Sequence, residues 1–153
     1  MSLFSGTHLK VGDAAPDFVL PDQTGSSVSL SSLKGKRIVL YFYPKADTPG
    51  CTAEGCSFRD AAPRYPKDVV VIGVSKDTVG AQKSFADKYQ LSFPLLADAD
   101  GEIIKRYGVD LMFGYAKRKT FLIDSQGKIA KAYDNVSPKT HSDDVLKDLE
   151  AVS

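Results

Sequence analysis

Two unbroken apolar runs, Ile38-Val39-Leu40-Tyr41-Phe42-Tyr43 and Val69-Val70-Val71-Ile72-Gly73-Val74, limit the folds open to this chain more than any other feature. A strand with one wet face alternates apolar and polar residues. A continuous run belongs to a strand covered on both faces, as in the centre of a parallel sheet with helices on either side. Parallel neighbours need a crossover, and Cys51 to Tyr65 supplies one, with helical composition as far as Pro63. The pattern then repeats. A helix is predicted over Thr78 to Tyr89, placing Val79, Phe85, Ala86 and Tyr89 near one side; a strand follows at Phe93 to Ala97, then a short helix from Glu102 to Tyr107 that ends at Gly108.

Beyond this the sequence changes to hairpin grammar. Lys119 to Ile123 reads as a strand, Asp124-Ser125-Gln126-Gly127 as a turn and Lys128 to Tyr133 as the antiparallel return. A last helix, His141 to Val152, is predicted to start from a Thr140/Asp143 capping box and to bury Val145, Leu146, Leu149 and Val152. An N-terminal hairpin is predicted from Asp17 to Leu20 and Ser27 to Leu30 around Gly25. Parallel crossovers, an antiparallel hairpin and a closing helix, in that order, predict an α/β chain of thioredoxin-like fold. Its mixed parallel and antiparallel central sheet is flanked by helices and carries an N-terminal β-hairpin extension. A chain of 153 residues with 42% hydrophobic content predicts a single domain over residues 1–153.

Charge narrows the function. Twenty basic and nineteen acidic residues give a net charge of +1, no footprint for nucleic acid or an anionic membrane. With no secretory leader and no run of eighteen apolar residues, the expected compartment is the cytoplasm. Two cysteines are too few for a disulfide scaffold, so in a reducing compartment the pair is expected to be chemical; the alternative is two small buried hydrophobes. His8 and His141 fall in no ligand spacing, and neither a metal nor a cofactor is expected.

The chemistry concentrates in Pro44-Lys45-Ala46-Asp47-Thr48-Pro49-Gly50-Cys51-Thr52-Ala53-Glu54-Gly55-Cys56, which follows a buried strand and opens a helix. With Thr48 at the cap, Pro49 takes the first helical position and Cys51 lands in the first turn, where unpaired N–H groups and the helix dipole favour a thiolate. Ionisation alone supplies little. A free thiol is about 3% ionised at neutral pH, so full ionisation gains about thirty-fold, or about 2 kcal/mol, and a less basic thiolate returns part of that. A fast reaction needs donors that bind the substrate and stabilise charge on its leaving group.

Pro44, Thr48 and Cys51 match a Pro-x-x-x-Thr-x-x-Cys signature, and Thr48-Pro49-Gly50-Cys51 with Cys56 five positions on resembles the bacterioferritin comigratory, or peroxiredoxin Q, subfamily of peroxiredoxins. The likeness runs from Gly12-Asp13-Ala14-Ala15-Pro16-Asp17-Phe18 through Phe58-Arg59-Asp60 to Thr120-Phe121-Leu122-Ile123-Asp124. It implies that Cys51 is the peroxidatic cysteine, Cys56 its resolving partner, Thr48 the hydroxyl that binds peroxide, Pro44 a shield against water, Arg118 the neighbouring cation and Glu54 the residue orienting that arginine. The residues leave competing readings: Thr48 as a helix cap only, Pro44 as a strand terminator, Arg118 as one solvated charge between Lys117 and Lys119. Arg59 and Asp60 read as helix-surface or packing residues rather than catalysts.

On an intact helix, residues five apart have Cα atoms about 8 to 9 Å apart, whereas a disulfide needs about 7 Å or less. Oxidation is therefore expected to unwind the first turns, a segment weakened by Gly55 and cut short by Pro63. The resemblance implies reduction of hydrogen peroxide and organic hydroperoxides, thioredoxin or a similar dithiol as reductant, and a monomer or weak homodimer. Two rivals stand beside this: a thiol-disulfide oxidoreductase of the same fold, and a redox-inactive binding module stapled by the two cysteines.

Overall fold

The computed structural model describes residues 9–109, 111–134 and 136–153; His8 lies outside them. A five-stranded sheet forms the centre. Its strands are β3 (Arg37–Phe42), β4 (Val69–Ser75), β5 (Leu95–Ala97), β8 (Lys119–Ile123) and β9 (Ile129–Tyr133), in the order β5-β4-β3-β8-β9. β3, β4 and β5 run parallel; β8 is antiparallel to β3, and β9 to β8. The apolar runs divide as a period of two requires. Ile38, Leu40 and Phe42 point into one core with Ile72, Val74 and Phe121, whereas Val39, Tyr41 and Tyr43 point into the other with Leu95 and Leu122.

The second core is roofed by α1 (Pro49–Ala61), α2 (Val79–Tyr89) and α4 (His141–Leu149), which contribute Cys51, Phe58, Phe85, Val145 and Leu149. The first is covered by α3 (Glu102–Arg106), through Ile103 and Ile104, and by Leu20 and Val28 of the N-terminal hairpin β1 (Val19–Pro21) and β2 (Ser27–Ser29). Another hairpin, β6 (Leu111–Met112) and β7 (Tyr115–Ala116), stands just before β8 and had no forerunner in the sequence reading.

Several boundaries differ from expectation for identifiable reasons. β5 begins at Leu95 rather than Phe93: Pro94 has no N–H to give, and Gln23 takes up the flanking backbone, donating to Phe93 O at 3.0 Å and accepting from Leu95 N at 2.8 Å. The Thr140/Asp143 capping box is absent. Thr140 already has a right-handed helical backbone (φ −115°, ψ −7°) and makes no side-chain cap bond, while a cap needs an extended backbone. α4 stops at Leu149 because Arg37 gathers the carbonyls of Leu149 and Val152 at 3.0 and 2.9 Å, leaving Leu146 and Val152 half-buried. Thr78 does cap α2, accepting from Ala81 N at 3.1 Å.

Candidate active site

β3 delivers the chain into the second core at Tyr43, and the loop from Pro44 to Thr48 turns it back into α1. Asp77 fixes this loop, its Oδ2 accepting from Ala46 N at 2.9 Å and from the Ser75 hydroxyl at 2.6 Å. Ser75 in turn accepts from the Gln82 amide at 2.8 Å, and Gln82 accepts from the Tyr43 hydroxyl at 2.6 Å. Asp47, at φ 60°, is held by Lys88 at 3.0 Å. Neither Asp77 nor Gln82 was singled out in the sequence; the available signal was a glutamine among the apolar positions of α2, fully buried in the structure.

Pro49 opens α1, so Cys51 stands in its first turn, with its side chain almost sealed from solvent at 1% exposure. Thr48 occupies the cap position with the extended backbone a cap requires (φ −95°, ψ 156°), yet its hydroxyl makes no cap bond. It donates instead to the Lys45 carbonyl at 2.8 Å, which leaves its lone pairs available as acceptors. Thr48 thus holds the cap position expected of it, with Pro49 after it, but its hydroxyl does not perform the capping. Pro44 lies half-buried where the loop leaves β3.

Arg118 precedes β8, whose Lys119 pairs with Phe42 at the end of β3. This register carries the guanidinium over the start of α1. One nitrogen, Nη2, lies 3.5 Å from Cys51 Sγ, and Nη1 bonds Glu54 Oε1 at 2.9 Å. Its neighbours do other things: Lys119 pairs with Asp134 at 2.9 Å, and Lys117 is exposed. Gly50 makes room for this arrangement, since a Cβ there would collide with Arg118 Nη2.

Glu54 is 1% exposed and bonds Arg118 through one oxygen, while its Oε2 has no partner among the described residues. Burial pushes its carboxyl up to about 7, against the opposing pull of Arg118. The site thus joins a buried sulfur, a guanidinium fork and a carboxyl that titrates near neutrality.

Cys56 is half-buried on the same helix, and both cysteines are free. Five residues of helix separate them by about 7.5 Å along the axis and about 140° around it. Gly55, read from the sequence as a weak point, also has a packing role: a Cβ would press within 3.2 Å of Leu91. The rear half of α1 is anchored more firmly. Phe58 stacks on Tyr41 with centroids 4.8 Å apart, Ser57 bonds Ser142 and the Lys139 carbonyl, and Arg59 donates to Tyr89 O at 2.7 Å. His141 lies against this anchor, its Nε2 2.9 Å from Thr120 Oγ1 and its ring edge-on to Phe58 and Tyr133.

Comparison with known proteins agrees with this geometry. The AhpC/TSA family model matches residues 11–132. A putative peroxiredoxin, bcp, of Coxiella burnetii is 46% identical over 90% of this chain and 97% of its own. The crystal structure of the peroxidoxin BcpB from Mycobacterium tuberculosis superposes with a TM-score of 0.88 at 40% identity, covering 95% of this chain and 99% of that one. The bacterioferritin comigratory protein of Xanthomonas campestris, solved in trapped intermediate and ligand complexes that bear on its alkyl peroxide reduction, gives a TM-score of 0.84 at 33% identity over 95% and 98% of the two chains. With this fold, this cysteine loop and these relatives, the chain belongs to the AhpC/TSA family, within its bacterioferritin comigratory group of peroxiredoxins, and is a thiol-dependent peroxidase.

Proposed function

We propose that Cys51 is the peroxidatic nucleophile and Cys56 the resolving thiol of an intramolecular cycle. The observation that carries this is the guanidinium nitrogen of Arg118, 3.5 Å from Cys51 Sγ and itself aimed by Glu54. The Cys51 thiolate attacks the nearer peroxide oxygen; an S–O bond forms, the O–O bond breaks, and the departing oxygen leaves as water or an alcohol after taking a proton. Arg118 stabilises the charge moving between sulfur and leaving oxygen, and its planar fork suits both at once. Thr48, already donating to Lys45, accepts from the peroxide O–H. Cys56 then attacks the sulfenic sulfur, expelling water and closing the Cys51–Cys56 disulfide once the first turns of α1 have opened.

A dithiol returns both sulfurs to thiols, and the assigned reductant is thioredoxin. The substrates are hydrogen peroxide and organic hydroperoxides, supported for the latter by the alkyl peroxide reduction of the Xanthomonas campestris relative. The assigned setting is the cytoplasm, as a monomer or weak dimer.

Mass spectrometry after one equivalent of peroxide tests the assignment. Wild type should lose two hydrogens within seconds. Cys56→Ser should stop as a sulfenic acid trapped by dimedone, and Cys51→Ser should not react. A Cys51→Ser variant that keeps the first-turnover rate would reverse the roles.

A further inference from the structure

The β6–β7 hairpin does two unfavourable things together. Met112 pairs with Tyr115, so its loop is the two residues Phe113 and Gly114, at φ 54° and 83°. A two-residue turn with both φ positive is the type favoured by Asn-Gly or Gly-Gly; a bulky L residue at its first position is strained. Phe113 is also 93% exposed, with Leu111 at 44% and Tyr115 at 41% beside it. Folding and solubility gain nothing from such a residue, and strain of this kind is an indication of function.

The hairpin touches the loop that carries the cysteine site. Tyr115 receives Lys45 Nζ at 5.5 Å from its ring centroid, and the carbonyl of that same Lys45 holds the Thr48 hydroxyl. From Ala116 the chain runs two residues to Arg118, the group over Cys51. Two exposed lysines lie close by: Lys45 against the Tyr115 ring, and Lys117 two residues beyond Tyr115 in the chain.

We propose that this hairpin, with Phe113 as anchor, is the surface on which a thioredoxin-type protein dithiol docks to reduce the Cys51–Cys56 disulfide. The proposal rests on the assignment of that disulfide above. One fully and two partly exposed side chains offer far less than the ~800 Å² per partner of a stable complex, so the occupant is a visiting partner rather than a permanent second copy. A protruding ring suits an apolar groove, and the nearby lysines suit an acidic rim around it. During the visit one reductant thiolate attacks a sulfur of the disulfide, and the S–S bond breaks as a mixed disulfide forms. The second reductant thiol then displaces the remaining cysteine. Two electrons and two protons pass to Cys51 and Cys56, and the reductant leaves oxidised.

Phe113→Asn separates the surface from the chemistry, because asparagine accepts a positive φ and should raise the melting temperature while removing the ring. With thioredoxin, thioredoxin reductase and NADPH, its KM for thioredoxin should rise about tenfold, the loss typical of an aromatic anchor. Turnover driven by dithiothreitol and the single-turnover peroxide rate should stay within twofold of wild type, and Phe113→Tyr should restore the thioredoxin KM. An unchanged thioredoxin KM, or an equal loss with dithiothreitol, overturns the proposal. So does sedimentation showing a wild-type dimer that Phe113→Asn dissociates while thioredoxin kinetics are untouched. A wild type that forms no Cys51–Cys56 disulfide by mass overturns the earlier assignment and this proposal with it, whereas a disulfide that forms normally confines any failure to the docking surface.

Discussion

The Thr48 hydroxyl donates to Lys45 O at 2.8 Å and supports no helix N–H, so catalysis and stability separate at this residue. Thr48→Ser should retain peroxide reactivity. Thr48→Val should lose most of it in single-turnover stopped flow with little change in melting temperature, because one half-exposed hydrogen bond contributes only about 1 kcal/mol or less. Gly50 gives a sharper dissociation. Alanine inside a helix is favoured over glycine by about 1 kcal/mol, yet its Cβ would strike the Arg118 guanidinium. That group is the mobile end of a long side chain and can move aside. Gly50→Ala should therefore melt no lower than wild type while its peroxide rate constant falls at least tenfold; a variant with full activity would show that Arg118 need not sit over the sulfur.

At the scale of elements, α1 is two structures in one helix. Its rear is bound to α4 and α2 through Ser57, Phe58 and Arg59, while Cys51 and Glu54 tie the front to Arg118. Opening on oxidation should begin at Gly50 and stop near Ser57. Amide exchange compared between reduced and oxidised protein should show loss of protection over residues 50–56 and little change from Phe58 to Ala61; uniform loss to Ala61 would mean the anchor is too weak. The sequence made the start of this helix legible because Thr48-Pro49 punctuates it locally. The β6–β7 hairpin was not legible: Gly114 does mark a turn, but Phe113 at its first position is no turn residue and the two flanking strands are only two residues each. Within the site, Cys51, Glu54 and Arg118 were nominated from a resemblance and meet in the structure. Asp77 and Gly50 were missed because each acts on a partner far along the chain, Asp77 on Ala46 and Gly50 on Arg118.

Across the whole molecule, two buried groups tilt stability against pH in opposite directions. Burial lowers His141 from 6.5 to about 4, so the unfolded chain holds more protons between those values and stability falls as pH drops through them. Glu54 is raised from 4.5 to about 7, so the folded chain holds the extra proton and stability falls as pH rises through that window. Over about pH 4.5 to 6.5 the two effects oppose. Urea denaturation across this range should give a slope of stability with pH that turns more negative in His141→Phe and more positive in Glu54→Gln. Slopes unchanged by either substitution would remove these groups from the acid response.

The N-terminal segment reaches both margins of the central sheet. Residues Gly12 to Ala15 run antiparallel along Gly127 to Ile129, exchanging backbone hydrogen bonds of 2.8 to 2.9 Å beside β9. Farther on, the Gln23 amide bonds the backbone of Phe93 and Leu95 beside β5. A sheet margin is a template on which a foreign strand can add. One continuous stretch of chain therefore blocks the first residues of both edge strands against intermolecular strand addition, and a proteolytic clip that freed it would bare both starting points in a single cut.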